Sequence, residues 1–145
     1  MRWASCVLSL FLALPACAEA AGYCDREPAV DPELPAGLAG SYELIGKDPE
    51  SGGTYAGALE IADGKTAYVL TRMVNGRTVK GSAWIERCGP DRFPIIFARY
   101  DTEPAPMELG CFFGTDGDNY YRVTCKSGLT GRDGTPGLEA WFQRH

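Results

Sequence analysis

Leu70 to Trp84 reads LTRMVNGRTVKGSAW, two alternating runs hinged on Asn75-Gly76. Asn-Gly is the strongest short hairpin signal, because a type I′ turn needs positive φ at both central residues and its twist matches that of the flanking strands. The hinge predicts that Arg72 faces Val79, Leu70 faces Gly81, Tyr68 faces Ala83 and Thr66 faces Ile85. Upstream, Asp63-Gly64 reads as a second two-residue turn, setting Ile61 against Thr66, Leu59 against Tyr68, Gly57 against Leu70 and Tyr55 against Arg72. The two registers agree. Side chains alternate with period two, so one face collects Tyr55, Gly57, Leu59, Ile61, Tyr68, Leu70, Val79, Ala83 and Ile85. The other shows Glu60, Lys80, Ser82 and Glu86. The first face is read as inside. Gly57 and Gly81 beside Leu70 suit a tightly curved sheet where small residues make room for large ones. Trp84, Val69 and Met73 then point outward, either under the N-terminal arm or as a partner surface.

The same pattern extends along the chain. Short runs of β-branched and aromatic residues alternate with Gly, Pro, Asp and Asn clusters, and no window has helical period. The candidate strands are Ser41 to Ile45, Thr54 to Ala62, Thr66 to Val74, Arg77 to Glu86, Phe93 to Tyr100, Met107 to Phe113, Tyr120 to Cys125 and Leu138 to Gln143. Eight sequential strands predict an all-β domain over residues 41–145, a small up-and-down antiparallel β-barrel whose closure removes free edges, with a β-sandwich as the alternative. Alternating strands place connections 46–53, 75–76, 101–106 and 126–137 at one end, the end with the two longest loops. Binding residues concentrate on loops held by a rigid scaffold, which makes that end the candidate mouth.

Residues 1–18 read as an export signal, with Arg2, the apolar run CVLSLFLAL from Cys6 to Leu14, and the small-residue site Ala16-Cys17-Ala18. The run is too short to span a bilayer, and no later stretch is uniformly apolar. Leu14-Pro15-Ala16-Cys17 also resembles a bacterial lipobox, in which Cys17 would carry a lipid anchor. The expected location is therefore periplasmic or secreted, with an outer-membrane lipoprotein as the alternative. Residues 19–40 form a proline-rich extended arm carrying Pro28, Pro32 and Pro35. Cys24, Cys88, Cys111 and Cys125 remain after the signal, an even set that implies two disulfides with three possible connectivities. Cys24 and Cys88 fall at the end opposite the mouth, and Cys111 and Cys125 lie on neighbouring strands, which favours those two pairs.

The chain carries a net charge of −5 with its arginines dispersed, so there is no basic stripe for nucleic acid and no polybasic segment for anionic lipid. The single histidine is His145, at the terminus, which leaves no imidazole base for a nucleophile. Asp101, Glu103 and Glu108 share a loop region but read as solvated acids. Asp116-Gly117-Asp118-Asn119 lacks the EF-hand order and reads as a turn. No CxxC pair and no P-loop occur. No metal, cofactor or catalytic residue is expected.

Arg72 is the most informative single residue. Beside Tyr55 at the mouth, its guanidinium could anchor a carboxylate or stack on the ring; alternatively the strand ends splay and it snorkels into water. Ser51-Gly52-Gly53-Thr54-Tyr55 resembles, at Ser51, Gly52 and Tyr55, the Ser-Gly-x-x-Tyr loop of periplasmic lysozyme inhibitors of the membrane-bound or C-type class. Those are small disulfide-bonded barrels that insert a polar loop into the lysozyme cleft, but their loop comes late in the chain. More broadly, Gly40-x-Tyr42, Tyr55-x-Gly57 and the run of tight hairpins to Glu86 are similar to small exported bacterial barrels of the avidin and lipocalin kind, many of unknown function. In lipocalins a Gly-x-Trp packs beside a late arginine; Gly40-Ser41-Tyr42 and Arg144 occupy comparable places, with Tyr for Trp. The resemblance implies a barrel and does not identify a ligand.

These readings converge on an exported, non-enzymatic binding module. It would take a small apolar or anionic ligand, or an extracytoplasmic protein, at the end carrying the 46–53 loop, through Ser51, Tyr55 and Arg72 with Tyr68 deeper inside. One alternative is a periplasmic inhibitor of a cell-wall hydrolase. Another is an envelope structural or interaction protein that uses outward aromatics such as Trp84. A small-ligand site predicts an internal pocket of about 300 Å³ or more, whereas a filled interior leaves the surface.

Overall fold

A computed structural model describes residues 24–27, 37–115, 121–129 and 136–144. The signal segment, Cys17, residues 28–36 of the arm, the 116–119 turn and His145 lie outside these residues. The strands are β1 (Cys24–Arg26), β2 (Gly40–Lys47), β3 (Thr54–Ala62), β4 (Tyr68–Val74), β5 (Arg77–Cys88), β6 (Phe93–Tyr100), β7 (Met107–Thr115), β8 (Tyr121–Leu129) and β9 (Gly137–Gln143). Each of β2 to β9 pairs antiparallel with its sequence neighbour, and β9 returns to β2. The chain is thus all-β, an eight-stranded up-and-down barrel with one extra strand. There is no helix among the described residues.

The Asn75-Gly76 hairpin takes the expected register, with Arg72 opposite Val79, Leu70 opposite Gly81 and Tyr68 opposite Ala83. Asn75 and Gly76 have φ of 51° and 74°, the geometry a type I′ turn requires. The upstream hairpin differs from expectation. Ile61 lies opposite Leu70 instead of Thr66, and Leu59 opposite Arg72 instead of Tyr68. The Asp63-Gly64 pair has no positive φ, and residues 63–67 form a longer connection. The slip is four positions, an even number, so every side chain keeps its face. Hydrophobic patterning therefore specifies the inside of this sheet without specifying its register, and turn chemistry alone misplaces the pairing.

The interior is filled. Leu44, Leu59, Tyr68, Leu70, Ile85, Ile96, Val123 and Trp141 expose no surface, so no water-sized void adjoins them. Tyr42 meets Trp141 edge-on at 6.5 Å between ring centroids, and its hydroxyl donates to the Leu38 carbonyl at 2.7 Å. Arg144 stays outside, bound to Glu43 at 2.6 Å, so the ring against Tyr42 is Trp141. Cys111 and Cys125 sit directly opposite on β7 and β8 and form a disulfide inside this core.

The arm contributes β1, which pairs Cys24 with Cys88, Asp25 with Arg87 and Arg26 with Glu86. β4 reaches only as far as Ala83 along β5, and β1 takes the ladder beyond it, which blunts an otherwise open edge. The Cys24–Cys88 disulfide pins it, with Arg92–Asp25 at 2.8 Å and Arg87–Glu27 at 3.5 Å around it. Both disulfides join the pairs expected from strand placement. Trp84 lies under the arm: the Arg26 guanidinium stands 4.8 Å over its ring and Phe97 stacks on it. Val69 and Met73, by contrast, are exposed.

Candidate functional site

One row of the inner face explains the mouth. Tyr55 on β3 lies opposite Gly46 on β2, and Gly46 lies opposite Glu139 on β9. Gly46 has no side chain, so the Tyr55 ring crosses over it; a Cβ at this position would overlap the ring. The Tyr55 hydroxyl thereby reaches Glu139 and donates to its Oε2 at 2.8 Å. From β4, Arg72 donates to the same oxygen through Nε at 3.0 Å and Nη2 at 2.9 Å. On the other oxygen, Oε1 accepts from Trp141 Nε1 at 2.8 Å and from the Tyr100 hydroxyl at 3.3 Å.

The Arg72 guanidinium is held between two rings, 4.9 Å from the Tyr55 centroid and 5.4 Å from that of Tyr100. A cation over aromatic faces gains from the ring quadrupole, more so where water is excluded. The Glu139 side chain is fully buried and that of Arg72 is 11% exposed. A carboxylate offers about four lone-pair sites, and here five donor contacts converge on it, so the charge is saturated from within the chain. Burial alone would push the Arg72 pKa down, but the charge of Glu139 and its hydrogen bonds outweigh this and raise it. Burial, and then the Glu139 charge, push the hydroxyls of Tyr55 and Tyr100 well above the ordinary tyrosine range. All three groups therefore hold their protons more tightly than they would in water. Chemically the cluster is a brace, tying β3, β4, β6 and β9 across the barrel axis just below the mouth.

Above it sits the 48–53 loop, built on Asp48. Its Oδ1 accepts from the backbone N–H of Ser51 at 2.7 Å, from that of Glu50 at 3.0 Å and from the Ser51 hydroxyl at 3.0 Å. The first of these bonds is the main cause of a lowered Asp48 pKa. Ser51 Oγ in turn accepts from Gly53 N–H at 3.1 Å. The tip, Glu50 to Thr54, is exposed, while the base packs down on β9: a Cβ on Gly137 would meet the Lys47 carbonyl at 2.8 Å and Pro49 Cδ at 2.9 Å.

Of the residues singled out from sequence, Tyr55 and Arg72 are brought together, although they are not cross-strand partners. Arg72 neither snorkels nor offers a free cation, because Glu139 neutralises it. Tyr68 is buried in the lower core, and Ser51 belongs to the loop. Glu139, Tyr100, Trp141 and Gly46 complete the cluster without having been singled out. The available signal was the alternation of Gly137 to Gln143: once Trp141 is inside, Glu139 is inside too. A cluster of Cys24, Glu86 and Cys88 has metal-like proximity, but its two sulfurs are consumed in a disulfide. No helix among the described residues is long and apolar enough to cross a membrane. Comparison with protein-family models, curated proteins and solved structures found no match to this chain.

Proposed function

We propose that this protein is an exported, non-enzymatic binding module that engages an extracytoplasmic protein through the barrel end carrying the 46–53 loop. The observation that carries this reading is the Glu139 cluster. It fills the barrel beneath the mouth and consumes Arg72, so recognition falls to what stands above it: an exposed polar loop pre-organised by Asp48. Pre-organisation lowers the ordering cost of association. Two disulfides fit an oxidising compartment. The test is capture of a defined partner by the immobilised protein: Asp48→Ala and Ser51→Ala should weaken it several-fold, whereas Asp91→Ala at the opposite end should not. Equal retention by all three would overturn the assignment to this end.

The exposed tip also favours a second reading, inhibition of a cell-wall hydrolase by cleft insertion. Tyr55 faces inward, so Glu50 and Ser51 would enter the cleft. Purified protein should then slow lysozyme on cell-wall substrate, and Glu50→Ala should restore the rate.

A further inference from the structure

The outer wall of the barrel is not uniform, and strand register shows why. On the outside of β8, β9 and β2, Lys126, Leu138 and Lys47 stand in a single row. In the next row, Thr124 and Ala140 form a low floor between Phe112 of β7 and Ile45 of β2. Phe112, Ile45 and Leu138 are 64%, 54% and 48% exposed. Gly110 and Gly114, which flank Phe112 on the outside of β7, have ordinary φ, and nothing described lies within 4 Å of where their Cβ would be. Neither packing nor backbone geometry within the chain requires glycine there. Their effect is to leave the Phe112 ring standing clear. Strand-interior glycine marks a bulge, a bend or a close approach, and the uninterrupted β7–β8 register leaves no bulge here.

The charges point the same way. The chain is net negative, yet on the outer face of these four strands the two described carboxylates, Glu43 and Glu108, are bound by Arg144 and Arg99. No carboxylate among the described residues pairs with Lys47 or Lys126. Arg122, further along β8, lies on the Phe142 ring. The surplus on this wall is therefore positive, interleaved with projecting apolar side chains. The wall curves outward, and its projecting apolar side chains stand above the Thr124–Ala140 floor. It suits a deformable surface, into which Phe112, Leu138 and Ile45 can press while the ammonium groups meet phosphates.

We propose that the β7–β8–β9–β2 wall is a docking surface for an anionic lipid bilayer. Residues 43 to 142 contribute to it, and no single segment carries the signature, which is why dispersed lysines read as featureless in sequence.

The test is co-sedimentation of purified protein, carrying Cys17→Ser so that no acyl chain contributes, with phosphatidylcholine vesicles with and without phosphatidylglycerol. Binding should require phosphatidylglycerol and weaken as salt rises. Lys47→Gln and Lys126→Gln should each reduce partitioning about fivefold, and Phe112→Ala about tenfold. Val69→Ala and Lys80→Gln on the opposite wall should change nothing. The substituted side chains on the strands are exposed, and an unchanged near-UV spectrum verifies the fold. Absence of binding to phosphatidylglycerol vesicles, or equal losses from both walls, would overturn the proposal. Capture of an acidic protein without vesicle binding would overturn it in favour of a protein partner.

Discussion

The barrel holds two layers built on opposite physics. Toward the closed end, Leu59, Ile61, Leu70, Ile85 and Ile96 make an apolar core whose contribution scales with volume and area. Below the mouth, Glu139, Arg72, Tyr55, Tyr100 and Trp141 make a polar layer in which each group is tolerable only because the others are present. A buried ion pair adds little net stability compared with apolar residues of the same shape, but removing one member leaves an uncompensated charge. The apolar layer should therefore respond to lost volume and the polar layer to lost partners.

The strongest way to break this contrast is Glu139→Ala, expected to cost about 3–5 kcal/mol in denaturant unfolding, because Arg72 stays buried without its counter-charge. Adding Arg72→Met should recover most of that loss; a double variant as unstable as the single one would mean that the cluster stabilises by packing alone. Leu70→Ala, in the lower layer, should cost about 3 kcal/mol, and no second polar substitution should rescue it.

Alkali separates the layers further. The pKa values of Tyr55 and Tyr100 are raised above the ordinary 10.0, so the folded state holds their protons more tightly than the unfolded chain does. Their contribution is full below about pH 10 and declines above it, by up to about 1.4 kcal/mol per pH unit for each tyrosine. Tyr55→Phe with Tyr100→Phe should flatten that decline in unfolding experiments above pH 10. The smallest effect belongs to Asp48→Asn, about 1 kcal/mol or less because its partners stay hydrated. Since the pKa of Asp48 is lowered, its own contribution should be present above the ordinary 3.8 and be lost on further acidification, visible as faster hydrogen exchange at Ser51.

How far each layer was legible follows from the range of its contacts. The apolar layer is a matter of alternation, so Leu59, Tyr68, Leu70, Ala83 and Ile85 could be placed inside from three runs and the two glycine-bearing turns between them. That placement survived a wrong register at Asp63-Gly64 because the error was even. The polar layer depends on contacts across the barrel. Tyr55 meets Glu139 at a sequence separation of 84, and Arg72 meets it at 67. Tyr55 and Arg72 could be suspected together, but Glu139 comes into view only when β9 closes on β2 and Gly46 leaves a passage for the ring. The alternation of Leu138 to Gln143 can place Glu139 inside with Trp141, but nothing local names the cation that it meets there.

The disulfide pattern has a consequence for how the molecule is made. Cys24 joins Cys88 and Cys111 joins Cys125, so among these four each bond links a cysteine to the next one along the chain. An oxidant acting on the polypeptide as it emerges N-terminus first would find the correct mate by taking whichever thiol arrives next. Under such oxidation, pairing in order of arrival would by itself produce the native connectivity.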